Sequence, residues 1–236
     1  MSARPRALGL KRRVGAQGIC CALAVLLLSA CGPAGTVGVF SPQVITVYST
    51  AAAQPWLAKL YDCASEKSAV ISIVNQPQSA MIVLRLGEPG HLSTPAFQIA
   101  RDSVQVVTNQ AQGLPQLNVE QVRQLFSGQI NDWSQIDPSK AGKVQVWVFA
   151  QNEDIQQAFA ATLLGGSIVS SARLATSPTE MAEAIVKDAN AIGILPGQWR
   201  MDNITSVYTT AAIPVLAITP SEPQGAVGDI LACAQG

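Results

Sequence analysis

Apolar and polar positions along the chain divide it into a long alternation of strand-like and helix-like segments. Residues 44–48 form a short β-branched run, and Ser49-Thr50 breaks it. Trp56, Leu57, Leu60, Tyr61 and Ala64 then recur at spacings of three and four, the period of a helix with one buried face. Pro55 suits the first turn of that helix, where a missing N–H is harmless, so the helix is expected to begin at Ala53 or Gln54. Residues 70–74, 82–86 and 103–108 read as strands. In 117–122, Asn118 can cap a helix, Gln121 can reach back and Leu117 can staple against Val122, with Gly128 as the stop. Residues 144–149 form another strand, after which Asn152 is expected to cap a helix carrying Ile155, Phe159 and Leu163 on one face and ending at Gly165-Gly166. Ser177-Pro178-Thr179-Glu180 reads as a capping box opening a helix with Met181 and Ile185 inward. Strands at 191–195, 204–208 and 214–218 and a short helix at 227–233 complete the pattern. Such alternation implies an α/β fold with mostly parallel sheets flanked by helices, which bind ligands at the carboxyl ends of strands, where helix N-termini face a crevice. The junctions at Ser49-Thr50, Gln151-Asn152 and Thr176-Ser177 are therefore the places to look for function.

The first thirty residues do not belong to this pattern. Arg4, Arg6, Lys11, Arg12 and Arg13 precede an unbroken apolar run of ten residues, 19–28. That run is half the roughly 20 residues of a spanning helix, and a basic start before a short apolar stretch reads as a secretory signal. It ends in Leu28-Ser29-Ala30-Cys31, which resembles the bacterial lipobox. The resemblance implies removal of residues 1–30 and an acylated (palmitate-type) Cys31 that holds the protein to a membrane surface through buried hydrocarbon. Residues 31–43, rich in Gly, Pro and small side chains, read as a tether.

Removing the first 30 of 236 residues leaves 206, and takes five of the fifteen basic residues but none of the fifteen acidic ones, for a net charge of about −5. An acidic balance without a Lys/Arg cluster argues against nucleic acid. Cys63 and Cys233 are the cysteines left for the folded part. In an oxidising compartment they could form a disulfide from the first long helix to the C-terminal tail, or remain two separately buried thiols. The one histidine, His91, lies in a Gly/Pro-rich loop, so neither a histidine-based triad nor a two-histidine zinc site can be assembled in one chain. Neither a Gly-Lys-Ser/Thr phosphate loop nor a Gly-x-Ser-x-Gly elbow occurs. Enzymatic activity, a cofactor and a metal are not expected.

Residues 118–136, Asn-Val-Glu-Gln-Val-Arg-Gln-Leu-Phe-Ser-Gly-Gln-Ile-Asn-Asp-Trp-Ser-Gln-Ile, resemble the segment that marks phosphate-type (PstS-like) ABC-transporter substrate-binding proteins. Ser49-Thr50 after the first strand, and Thr179-Glu180-Met181 leading to Ala191-Ile192-Gly193-Ile194, agree in order. The resemblance implies a type II periplasmic-binding-protein fold. Two lobes, 44–105 with 208–236 and 106–207, would be joined by hinge strands at 103–107 and 204–208 and would close on a small polar solute. The implied partners are that solute, a membrane ABC permease and the membrane itself, with the protein acting as an exported monomer. Two departures bear on the ligand. Phosphate-binding members carry Ser-Gly-Thr at the start of the second-lobe helix, whereas this chain has Asn152-Glu153-Asp154. At an effective dielectric near 20 each pair of like charges about 4 Å apart costs about 4 kcal/mol, so phosphate is disfavoured. Met81 also stands where a polar residue beside the cleft is expected.

The candidate ligand-binding residues are Ser49, Thr50, Arg85, Gln151, Asn152, Glu153, Asp154, Thr176 and Ser177. Each has a plainer role open to it. Ser49, Thr50, Thr176 and Ser177 can simply cap helices, acids in a first turn suit the helix dipole, and Arg85 can pair with Glu88 at the surface. Trp133 is read as a packing residue.

Overall fold

The computed structural model describes residues 42–164, 167–199 and 201–236. The signal segment, Cys31, most of the tether and the Gly165-Gly166 stop lie outside these residues. Residues Pro42–Gly236 form one contact unit. Its described residues form ten strands, β1 Gln43–Ser49, β2 Ala69–Ile73, β3 Ile82–Leu86, β4 Ala96–Asp102, β5 Val104–Asn109, β6 Gln145–Val148, β7 Arg173–Leu174, β8 Ala191–Pro196, β9 Ile204–Thr209 and β10 Ile213–Ile218, and five α-helices, α1 Leu57–Glu66, α2 Val119–Ser127, α3 Asp154–Thr162, α4 Pro178–Lys187 and α5 Gly225–Gln235.

The strands make two five-stranded sheets, ordered β2-β1-β3-β10-β4 and β7-β6-β8-β5-β9. Each is mixed. β1 runs parallel to β2 and β3, and β6 parallel to β7 and β8, while β10 and β5 pair antiparallel with both of their neighbours. The sheets are thus less parallel than the alternation suggests, because the strands that cross between them enter each sheet against the local direction.

The chain crosses to the second sheet at Ser103, between β4 and β5, and returns through Thr210–Ala212, between β9 and β10. These points lie a few residues from the expected boundaries at 105 and 208. Two hydrogen bonds tie the crossings side by side: Thr210 N–H donates to the Val104 carbonyl (3.0 Å), and Val104 N–H donates to the Thr210 side-chain Oγ1 (2.9 Å). Strand β4 is not evident in the sequence because it is an edge strand whose Gln98, Arg101 and Asp102 interrupt the apolar alternation.

Local chemistry explains most element boundaries. In β1, Ile45 and Val47 are fully buried on one face, the period-two pattern of a strand covered on that side. Pro55 sits in a short 3-10 turn, Gln54–Trp56, that leads into α1. Asn118 and Gln121 form a reciprocal capping box at α2, with Leu117 and Val122 both buried beside it. Gly128 ends α2 at φ +80°, and a Cβ there would stand 2.6 Å from Val169 Cγ2, so only glycine fits. Phe126 and Phe159 pack at 4.8 Å between centroids. Trp133 is fully buried and donates from Nε1 to the Asn190 carbonyl at 3.2 Å, a packing role.

Cys63 in α1 and Cys233 in α5 form a disulfide, with Cα atoms 5.8 Å apart. Both helices cover the first sheet, so the bond closes a loop that contains the entire second sheet. Spanning 170 residues, it should restrict the unfolded chain by about 5 kcal/mol on the chain-entropy account. Reduction, or replacement of both cysteines by serine, is expected to lower the melting temperature by about 10–20 °C without changing far-UV circular dichroism at 25 °C. A melting temperature unchanged by reductant would show that the loop closure contributes nothing.

Candidate functional site

The carboxyl ends of β1 and β3 meet the start of α3, the helix that follows β6. Gly87 follows β3 and turns the chain away with a φ of +72°, a conformation that favours glycine, while a Cβ there would make only ordinary contact with Ala158 of α3 at 3.5 Å. Asp154, the first residue of α3, is 3% exposed. Its carboxylate divides between the first sheet and its own helix. Oδ2 accepts from Thr50 Oγ1 (2.6 Å) and from the Leu86 N–H (2.6 Å), while Oδ1 accepts from the N–H of Ile155 in its own helix (2.8 Å). A buried carboxylate is costly unless its oxygens are hydrogen-bonded, and here donors at the strand ends of the first sheet and the N–H at the start of α3 satisfy it.

Arg85 flanks this junction. Its Nη2 donates to Gln157 Oε1 at 3.0 Å, a second bond from β3 to α3, and its buried Nε has no partner. Burial lowers the guanidinium pKa, and the Asp154 charge opposes that shift. Glu153 is half-buried beside Asp154, and burial first, then the neighbouring carboxylate, push its pKa up. Gln156 is buried within α3; its Oε1 accepts from the Phe149 N–H at 3.0 Å and its Nε2 is unpartnered.

The structure therefore gathers Thr50, Arg85, Glu153 and Asp154. The remaining candidates are placed otherwise. Ser49 Oγ donates to the carbonyl of Thr50. Gln151 and Asn152 are exposed, and Asn152 does not cap α3: Glu153 occupies the cap position without a side-chain bond, and the turn is held by Glu153 N–H donating to the Ala150 carbonyl. Ser177 Oγ accepts from the Glu180 N–H as a helix cap, but the return arm of the box lands one residue early, with Glu180 accepting from both the N–H and hydroxyl of Thr176. Those bonds hold the Glu180 carboxyl below its usual range. Among the described residues, neither Thr176 nor Ser177 bonds to Thr50, Arg85 or Asp154. Arg85 pairs with Gln157 rather than Glu88. Met81 is 42% exposed and lines a groove with Gln43 at the amino end of β1, away from the junction, so it does not plug the cleft.

Two contributors have no clear mark in the sequence. Leu86 acts through its backbone N–H, for which Gly87 is the only local sign. Gln157 is one glutamine among many, and its partner lies 72 residues away. Among the described residues no group of three or more His, Cys, Asp or Glu side chains could hold a metal, and no helix is long and apolar enough to cross a membrane.

The family model described as the PBP superfamily domain matches residues 93–227. No curated protein matches the chain in sequence. Among solved structures, one described as a phosphate ABC transporter substrate-binding protein with bound phosphate, from Clostridium perfringens, aligns at a TM-score of 0.72 with 13% identity, covering 81% of this chain and 92% of that one. An ABC-type phosphate transport receptor from Vibrio cholerae aligns at 0.62 with 14% identity, covering 81% and 93%. An OxyR2 regulatory domain from Vibrio vulnificus aligns at 0.58 with 9% identity, covering 84% and 97%. At these identities the likeness is one of fold, and it spans transport receptors and a regulatory domain alike. With more than half of its residues matched by the family model and two helix-flanked α/β sheets joined by paired crossings, the chain belongs to the PBP superfamily.

Proposed function

We propose that this protein is a lipid-anchored, extracytoplasmic solute-binding protein of an ABC importer, which captures a small polar solute between its two halves and presents the closed form to a membrane permease. The observation that carries this reading is the meeting of Thr50, Leu86 N–H and Arg85 from the first sheet with the start of α3 from the second. A solute lodged there would bond both halves at once, and closure would follow from its preference for the closed form. The structural neighbours that are phosphate receptors of ABC transporters support the transport role. Cys31 would carry the lipid, and residues 44–105 with 208–236 and 106–207 are taken as the two lobes.

Charge points away from phosphate as the solute. Asp154 already fills the donors that an oxyanion would use, and Glu153 stands beside it. A free anion about 4 Å from either carboxylate meets about 4 kcal/mol of repulsion per unit charge at an effective dielectric near 20. A neutral or cationic polar solute suits the site better. The occupied donors also favour a second reading, in which the fold serves as a sensor or protein-contact component without transport.

Thermal shift and small-angle scattering against sugars, amino acids, polyamines and oxyanions are expected to show stabilisation and compaction with a neutral or cationic member. Compaction with none across a broad panel would decide for the second reading. Cys31→Ser is expected to move the protein from the membrane fraction to the soluble fraction and to abolish incorporation of labelled palmitate; unaltered fractionation would remove the lipid anchor from the account. Because the fold disfavours the charged form of Glu153, the wild type gains stability from its proton as pH falls through the raised folded pKa, and lacks that contribution at neutral pH. Glu153→Gln is therefore expected to melt about 1–2 °C higher than wild type at pH 7, with the gap closing below the ordinary glutamate range. A gap that is constant with pH would contradict this assignment.

A further inference from the structure

The donors that converge on Asp154 form a set suited to an anion: a hydroxyl, two backbone N–H groups, the start of a helix and a neighbouring guanidinium. The two carboxylate oxygens share these donors by half, Oδ2 toward β1 and β3 and Oδ1 toward α3. The side chain is 3% exposed, so the carboxylate is sealed between the halves. The larger grooves lie elsewhere, one of about 470 Å3 beside Asn109 and Val186 and one of about 440 Å3 beside Met81 and Val227.

We propose that Asp154 is a tethered anion: its carboxylate takes the place of an anionic solute, holds the two halves together without one, and keeps free oxyanions out of the cleft. The inference rests on reading the junction as the solute site, and makes Asp154 its specificity-determining residue. It also predicts a latent oxyanion site that no wild-type binding assay would detect. Removing the side chain at Cβ leaves the donors in place around a space matching acetate, whose methyl and carboxylate correspond to the atoms lost.

Three variants of the full chain, purified in detergent, test this by thermal denaturation and by amide hydrogen exchange at Leu86 and Ile155. Wild type is expected to show slow exchange at both amides, with neither exchange nor melting temperature responding to millimolar acetate, formate, phosphate or sulfate. Asp154→Gly is expected to melt about 5–10 °C lower, a shift typical of exposing buried unpaired donors in a chain of this size, and to exchange faster at both amides. Acetate or formate should restore at least half of the lost melting temperature and slow both amides again. Asp154→Asn, which fills the same space, should not respond to acetate. Rescue of Asp154→Asn to the same extent would place the acetate effect elsewhere and overturn the proposal, as would direct binding of phosphate or acetate to wild type, or an Asp154→Gly chain indifferent to every anion. If Asp154→Gly does not fold, Thr50→Val, which removes a single donor, should exchange several-fold faster at Leu86; unchanged exchange would equally overturn it.

The outcomes separate this idea from the transport reading. Acetate rescue with no solute response across the panel supports the tethered anion and removes solute capture. A neutral or cationic solute that compacts wild type, with no rescue of Asp154→Gly, removes the tethered anion and leaves capture standing.

Discussion

A carboxylate withdrawn from water must find donors, and the two halves of this protein meet where that requirement is fulfilled. Asp154 is covered on all sides, and neither half alone satisfies it: its own helix supplies one N–H, and the strand ends of the other sheet supply a hydroxyl and a second N–H. Separating the halves would leave the charge to water and strip two donors, the Thr50 hydroxyl and the Leu86 N–H, of their acceptor. Much of the remaining architecture serves to bring those groups into register, including the left-handed turn at Gly87 that follows β3 and the parallel trio β2-β1-β3 that aims two strand ends at one point.

Covalent and backbone constraints keep that register within reach. The second sheet is an insertion between β4 and β10, entered and left through adjacent crossings that bond to each other. Trp56 donates from Nε1 to Asp102 at 3.3 Å and so anchors the approach to the first crossing against the turn before α1. The disulfide joins the two helices on the outside of the first sheet, so the inserted half hangs from a closed ring. In the proposed solute-capture reading these crossings serve as the hinge.

Shared architecture does not select a ligand. The same fold occurs in phosphate transport receptors and in the regulatory domain of OxyR2. What distinguishes this chain is local: acids stand at 153 and 154, at the start of the helix that faces the other half. One is bonded across the cleft, and the other is held half-buried against its preference for charge. Together with Arg85, those two side chains set the local charge at the junction.

Most elements and caps were legible in the sequence because each depends on residues within a few positions of one another. The period of α1, the Asn118–Gln121 box, the Gly128 stop and the ends of β3 are local matters of backbone sterics and nearby hydrogen bonds. The motif at 118–136 and the strand-helix alternation pointed to the family, and of the residues singled out, Thr50 and Asp154 lie where the halves touch. Other features depended on contacts across the fold. Asp154 finds Leu86 across 68 residues and Thr50 across 104, and Cys63 finds Cys233 across 170. No periodicity links such positions, so the sequence could list donors and acids but could not pair them. Only the packing of one half against the other turned Asp154 from a group available to a solute into the acceptor for Thr50 and Leu86, and left Asn152, Thr176 and Ser177 outside that contact.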